Sequence, residues 1–312
     1  MPDDLAFRPV RIEDKPCVLD FTRNTWGEDD GDYIQYVFDD WLADPRGEFT
    51  AAMLDGEVVA IAKLTDMGDD EWWFEGLRVD PAHRLKGIAA AFNRYHVELA
   101  KRLGGKVVRY MTGGENIGSQ AVGAKAGFQH ILTFAAHLAD ATNEFALPAL
   151  LTLDDAPELS RWINSTLMRY QHGVYHAGWK AKTMTESEMR SLIEAQQAYG
   201  QKDGAGRVNA WAVLRSAEYD EDSEDNEDRR LRVDHLDGEM TAVADLARSM
   251  RSLAAVQNRP VVSMGICDYP PLVRAVGEAG YQPNPDQFSL WVLELKLTSP
   301  TGTGLWAVRD NE

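Results

Sequence analysis

The stretch Arg84-Leu85-Lys86-Gly87-Ile88-Ala89 follows an apolar run that ends in Asp80-Pro81, and it opens a segment with helical periodicity. The start of a helix offers unpaired N–H groups and the positive end of the helix dipole, and residues as small as Gly87 and Ala89 let an anion approach them. Arg84 and Lys86 add positive charge beside the same groups. From the residues alone two readings stand: a cradle for a diphosphate, or a helix that packs closely on its strand.

The elements that must position this stretch are legible from pattern. Strands are predicted over 48–54 and 57–65 about the hairpin pair Asp55-Gly56, with a third over 72–79. From Gly87 to Leu103 apolar residues at 88, 92, 95, 99 and 103 make one helical face, closed by Gly104-Gly105. A strand at 106–112, a helix at 117–126 and a strand at 129–138 complete the unit. Further on, strands are predicted near 207–215, 229–236, 260–266 and 288–297, and helices at 240–257 and 271–279. Strands alternating with helices around a mixed sheet mean an α/β or α+β fold.

The two halves repeat one another. Asp14-x-Pro16 in FRPVRIEDKPCVLDF matches Asp155-x-Pro157 in LPALLTLDDAPELSRW, and Leu77-Arg78-Val79-Asp80 recurs as Leu231-Arg232-Val233-Asp234. Val107-Val108 answers Val261-Val262, and Lys125-Ala126-Gly127-Phe128-Gln129 answers Glu278-Ala279-Gly280-Tyr281-Gln282. Four matches in one order imply a duplication. The expected domains are residues 1–142 and 143–312, forming a pseudo-dimer within one chain.

Composition narrows the partners. With 50 acidic against 32 basic residues the net charge is −18, which repels a phosphate backbone or an anionic membrane, so neither nucleic acid nor membrane is expected as a partner. Cys17 and Cys267 make no ligand cluster and suit a reducing cytoplasm. His172-x3-His176 has helical ligand spacing, but no Glu follows the first histidine and Gly173 spoils a helix, so no metal site is expected. DEDSEDNED at 220–228 reads most simply as a solvated loop.

R-x-x-G-x-A after Val79-Asp80-Pro81, together with Asn116 and the later Gly127-Phe128, resembles the acetyl-CoA motifs of the GNAT acyltransferase superfamily over about residues 5–138. The resemblance implies two tandem GNAT-like domains, each a splayed mixed sheet flanked by helices. Acetyl-CoA would be the cosubstrate. Its diphosphate would meet the backbone of Leu85, Lys86, Gly87, Ile88 and Ala89 with Arg84 alongside, and Asn116 would join the cofactor site. Its pantetheine arm would lie between the parting strands at 72–79 and 106–112, where Leu77 and Val79 N–H groups would polarise the acetyl carbonyl.

The implied chemistry is transfer of an acetyl group to the primary amine of a small molecule. Glu75 is the expected proton acceptor, placed by strand alternation on the face of Leu77 and Val79; a structural salt bridge is its other reading. The tyrosine that the family uses as general acid, seven residues after the asparagine, is Gly123 here, which leaves Ser119, Tyr110 or water. In TWGEDDGDYIQYVFDDWLAD, residues 25–44, Asp29, Asp32 and Tyr33 are acceptor-binding candidates with Trp73; equally, this is a capped helix start with Tyr36, Val37, Trp41 and Leu42 buried. That stretch, with Glu75-Gly76-Leu77-Arg78-Val79, resembles the histidine N-acetyltransferase-like branch, which points to an α-amino group.

At equal offset the second copy puts Thr241 in place of Gly87, with Asp237 and Glu239 where a diphosphate would lie, so it is expected to be non-catalytic. The alternative to an enzyme is a chain that binds acyl-CoA without turnover, as a sensor or scaffold.

Overall fold

A computed structural model describes residues 4–25, 31–215, 229–284 and 289–297. The chain is a mixed α/β fold. It runs β1 (Ala6–Pro9), α1 (Lys15–Thr22), α2 (Ile34–Ala43), β2 (Glu48–Leu54), β3 (Glu57–Gly68), β4 (Glu71–Val79), α3 (Ile88–Arg102), β5 (Val107–Gly113), α4 (Ile117–Lys125) and β6 (Gln129–Asp140). It continues through β7 (Ala149–Leu150), α5 (Ala156–Leu159), α6 (Thr166–Tyr170), β8 (Val174–Ala177), β9 (Lys180–Thr183), α7 (Glu186–Glu194), β10 (Ala198–Lys202) and β11 (Val208–Leu214). The last elements are β12 (Leu231–Gly238), α8 (Met240–Val256), β13 (Val261–Cys267), α9 (Pro270–Glu278), β14 (Gln282–Pro283) and β15 (Leu290–Lys296).

Two compact units are present, and neither is one continuous stretch. The first takes its residues from 1–109, 122–128 and 294–312, and the second from 110–121 and 129–293. In the first, β1 to β4 form an antiparallel meander, and β4 then pairs in parallel with the start of β5, Glu71 opposite Val107 and Trp73 opposite Arg109. The β2–β3 turn holds Asp55 and Gly56 at φ 52° and 85°, the two left-handed residues of a tight hairpin turn. In the second unit β7, β10, β11 and β12 are antiparallel in that order, β12 pairs in parallel with β13, and β13 is antiparallel to β6.

The duplication is visible in local chemistry. Asp14 accepts from Arg11 N at 2.8 Å and is clamped by both terminal nitrogens of Arg8, while Asp155 accepts from Thr152 N at 3.0 Å and takes Lys202 at 2.6 Å. Each carboxylate closes the turn that feeds a helix with proline in its first turn. After α4 and α9 the chain turns on Gly127 and Gly280 at φ 93° and 92°, a conformation that only glycine adopts cheaply.

Each unit has its own core. In the first, Val10, Val18, Ile34, Phe38, Phe49 and Ile61 cluster between α1, α2 and the sheet. The predicted buried side of α2 needs one correction: Ile34 and Phe38 are fully buried and Val37, Trp41 and Leu42 partly so, but Tyr36 is 77% exposed. On the opposite face α3 lays Ile88 and Phe92 on the strands, and His96 is enclosed with Nε2 2.8 Å from Thr50 Oγ1. In the second unit Leu159, Met189, Trp211 and Ala198 belong to one apolar cluster. No helix among the described residues is long and apolar enough to cross a membrane.

Burial holds the imidazoles of His96 and His235 neutral, with pKa values pushed down to about 3. Unfolding releases both to ordinary histidine behaviour near pH 6.5, so below that pH the unfolded chain binds more protons. Stability is therefore fully present above about pH 6.5 and drains away as pH falls toward 3, at up to about 1.4 kcal/mol per pH unit for each residue. Urea unfolding between pH 7 and 4.5 should show this slope, and His96→Gln should flatten it by up to one histidine's share; equal slopes in the two proteins would refute the assignment.

Candidate active site

The site candidates of the first unit sit on β4 and the loop after it. β4 is not a regular strand: Lys63 pairs with Glu75 but Ile61 pairs with Arg78, so one extra residue is accommodated around Gly76 and Leu77. Gly76 has φ 66°, and a Cβ there would lie 2.3 Å from Trp41 Cη2. Only glycine fits this bulge. The bulge reverses the expected alternation: Glu75 shares the face of Arg78, Lys63 and Ile61, the face that α1 and α2 cover, whereas Val79, opposite Ala60, points to the other side. Glu75 is half-buried and accepts from Thr65 Oγ1 at 3.0 Å. Leu77 and Val79 are half-buried on the same strand.

Around Glu75 the acceptor candidates are largely engaged with one another. Asp32 is buried and takes Arg78 Nε at 2.6 Å, its other oxygen accepting from Ile34 N at 3.0 Å, so it holds the turn that enters α2 and neutralises Arg78 together. Tyr33 lies under the Arg78 guanidinium, ring centroid 5.1 Å away. Trp73 is 2% exposed and Trp72 6%, so both tryptophans are interior residues. Asp29, and Asp30 beside it, lie outside the described residues.

Beyond β4 the chain makes an Asx turn, Asp80 accepting from Ala82 N at 2.9 Å, and then an exposed loop, 84–87. Leu85 and Gly87 both have left-handed backbones, φ 63° and 83°, and Gly87 is the residue on which α3 starts. For leucine that conformation is strained, and its side chain is fully exposed. The loop thereby leaves the first-turn N–H groups of Ile88 and Ala89 open, and no atom lies within 4 Å of where a Cβ on Gly87 would stand. Arg84 and Lys86 are exposed beside it. A bulky residue at 87 would fill that space, so the residues fit an anion the size of a phosphate.

Three further candidates belong to the second unit. Asn116 Oδ1 accepts from Ser119 N at 3.1 Å, capping α4. Tyr110 is buried and donates its hydroxyl to the Ser119 carbonyl oxygen at 3.1 Å, and burial pushes its pKa up to about 12. Tyr110 thus carries its proton throughout the neutral range. Gly123 of α4, at the position expected for a tyrosine, is buried.

In the second repeat the equal-offset match needs correcting. Leu231 pairs with Val262 as Trp72 pairs with Val108, so Leu231 stands in the place of Trp72 rather than of Leu77. β12 continues to Gly238 and α8 begins at Met240, with Glu239 alone between them, where the first repeat has residues 80–87. The loop has not been substituted; it is missing. Asp237 is therefore a strand residue, not a loop acid. It is 1% exposed, accepts from Ser165 Oγ at 2.6 Å and from Gly238 N at 2.7 Å, and burial pushes its pKa up to about 6. His172 and His176 do not share a helix either, because α6 ends before His172 and His176 lies on β8.

Sequence reasoning missed the bulge, the Arg78–Asp32 pair and the shortened second connection. The signal for the first was present: an isolated glycine inside a strand pattern commonly marks a bulge.

With this geometry in place, the chain can be set beside known proteins. Residues 16–128 match the Acetyltransferase (GNAT) family, so the chain carries a GNAT acetyltransferase domain there. Histidine N-acetyltransferase of Oreochromis niloticus is 31% identical over 98 residues, which are 31% of this chain and 28% of that protein. The chain thus matches little more than a quarter of this relative's length. Among solved structures, a GCN5-related N-acetyltransferase from Sphaerobacter thermophilus superposes over 95% of this chain and 96% of its own, with TM-score 0.63 and 12% identity. A tandem GNAT protein from the clavulanic acid biosynthesis pathway covers 94% of this chain and 98% of its own, with TM-score 0.55 and 14% identity. At these identities the two structures establish the fold.

The bulge is open to a direct test. Gly76→Ala sets a methyl group against the Trp41 ring and a side chain on a left-handed backbone, and should destabilise the protein by about 1–3 kcal/mol. Chemical denaturation measures the loss; a variant within a few tenths of a kcal/mol of wild type would show that the strand can run straight.

Proposed function

We propose that the chain is an acetyl-CoA-dependent N-acetyltransferase acting on the primary amine of a small molecule, with residues 1–142 as the catalytic domain and 143–312 as a degenerate, non-catalytic one. The observation that carries the reading is the open, left-handed loop at 84–87 delivering the start of α3, within a stretch that matches the acetyltransferase family. The missing connection before α8 supports the assignment of roles to the repeats, since the second repeat has no loop with which to hold a diphosphate.

Leu85 to Ala89 would hold the diphosphate of coenzyme A, with Arg84 and Lys86 contributing charge. Bound acetyl-CoA would supply an activated acyl group as a thioester. Glu75 takes the proton from the incoming ammonium, directly or through water, because only the free amine is nucleophilic. The N–H groups of Leu77 and Val79 face the developing oxyanion. Water returns a proton to the departing thiolate.

For the acceptor, the 31% identity to a histidine N-acetyltransferase supports the α-amino group of an amino acid such as histidine. Asp29, Asp32 and Tyr33 are the proposed acceptor-side residues, with Asp32 acting by fixing Arg78; Trp73, an interior residue, is left out. A second reading, an acyl-CoA-binding sensor or scaffold without turnover, is favoured by Gly123 in the family's tyrosine position. Release of thiol from acetyl-CoA with a panel of amines separates the two: a sensor gives none.

In the enzyme, Glu75→Gln should lower kcat by roughly 10²–10⁴ at neutral pH, leave coenzyme A affinity nearly unchanged and recover as pH rises and more free amine arrives. Gly87→Glu should instead abolish coenzyme A binding in a calorimetric titration. Full turnover by Glu75→Gln would make that residue structural, and two coenzyme A sites per chain would overturn the roles given to the repeats.

A further inference from the structure

A proton acceptor must be held in one pose, and the strand that carries Glu75 does not do this alone. The pair Glu75–Lys63 is the last before the bulge, since the next along β4 joins Arg78 to Ile61. A glutamate side chain turns freely about several bonds, and a displacement of about 1 Å is enough to cost a catalytic group most of its effect.

The hold comes from β3. Thr65 pairs with Trp73, two residues before Glu75, so its side chain leaves the sheet on the face of Glu75 and Lys63. It is 3% exposed, and its Oγ1 donates to Glu75 Oε1 at 3.0 Å. A β-branched side chain is stiff at χ1, so the hydroxyl is a fixed point, and a hydrogen bond to a carboxylate is stronger than one between neutral groups. An ionised carboxylate accepts at about four lone-pair positions, so a single bond orients it without exhausting it.

Thr65 is fixed in its turn. The chain between α2 and β2 lies directly on this part of β3: a Cβ on Gly47 would overlap the Leu64 carbonyl oxygen and stand 3.1 Å from Thr65 Cα. The buried Lys63 reaches the end of α2, its Nζ 3.4 Å from the Trp41 carbonyl oxygen and from Asp44 Oδ2, and 3.5 Å from the Asp44 carbonyl oxygen. The stretch 63–65, which faces Glu75 across the strand pair, is thus tied twice to one connection. We infer that Thr65 is a positioning residue for acetyl transfer, its hydroxyl setting the Glu75 carboxylate in the orientation from which it takes the proton of the amine. Thr65 itself touches no reacting atom. The inference rests on the role proposed for Glu75 and supplies the group that gives that residue its pose.

Thr65→Val keeps the shape of the side chain and removes the donor. In thiol release from acetyl-CoA with the best amine of the panel, kcat should fall by roughly 10- to 100-fold. Affinity for coenzyme A, read by calorimetry, should stay within about twofold of wild type. Thr65→Ser returns the hydroxyl and should restore kcat to within about threefold. In a Glu75→Gln background Thr65→Val should cost nothing further, because residues that act as a unit are not additive. Thr65→Ala serves where the valine variant does not fold, and coenzyme A binding reports the fold of each. Wild-type kcat in Thr65→Val beside an impaired Glu75→Gln, no rescue by serine, or full multiplication of the two losses would overturn this inference alone. Full turnover by Glu75→Gln, or no thiol release by the wild type with any amine, would remove the role of Glu75 and the inference with it.

Discussion

One guanidinium fixes much of the first unit. Arg109 lies 2.9 Å from Glu71 and 2.8 Å from Glu294, and all three side chains are at least about nine-tenths buried. Removing one partner of such a cluster leaves a charge in a medium that solvates it poorly, at several kcal/mol. Three segments far apart in sequence must therefore meet at one point. That point is also where β4 and β5 are joined, since Glu71 faces Val107 in the first of their three parallel pairs.

The remaining course of β4 depends on this anchor. Among the described residues the parallel pairing of β4 with β5 covers Glu71, Trp72 and Trp73. The bulge at Gly76 then turns Glu75 and Arg78 to the side of α1 and α2, while the Asx turn and the left-handed loop aim the start of α3. Clamp, bulge and loop are three successive departures from a regular strand, each held by packing or charge that a regular strand would not need.

Much of this was legible in the sequence, because the fold's periodic parts obey local rules. The hairpin at Asp55-Gly56, the limits of α3 and the strands β2 to β6, β11 to β13 and β15 can be read from spacing and turn residues and agree with the structure to within a few residues, whereas β8, β9, α7 and β10 were not read. The features that were not legible depend on register. Leu-Arg-Val-Asp occurs in both repeats, yet its second copy lies earlier on its strand, because the second repeat shortened the connection to its helix rather than altering its residues. A tetrapeptide match cannot reveal a deletion beside it. The apolar ring of Tyr36 suggests burial, but the helix it lies on turns Ile34 and Phe38 to the core instead. Of the site residues, the loop 84–89 is explicit in the sequence, whereas the pairing of Asp32 with Arg78 joins positions 46 residues apart and carries no local signature.

The clamp also sets an order of events during synthesis. Arg109 and Glu294 are 185 residues apart, and at roughly 5–20 residues per second the ribosome needs roughly 10–40 s to travel between them. For that interval the nascent first repeat carries a buried arginine with only Glu71 to meet it and lacks the strand that brings the second carboxylate. Helices and hairpins form in microseconds, so the wait is long on the scale of folding. The half of the chain with the acetyltransferase domain is the first to emerge and the last to close, and chaperones that shield exposed sheet have their opportunity in between.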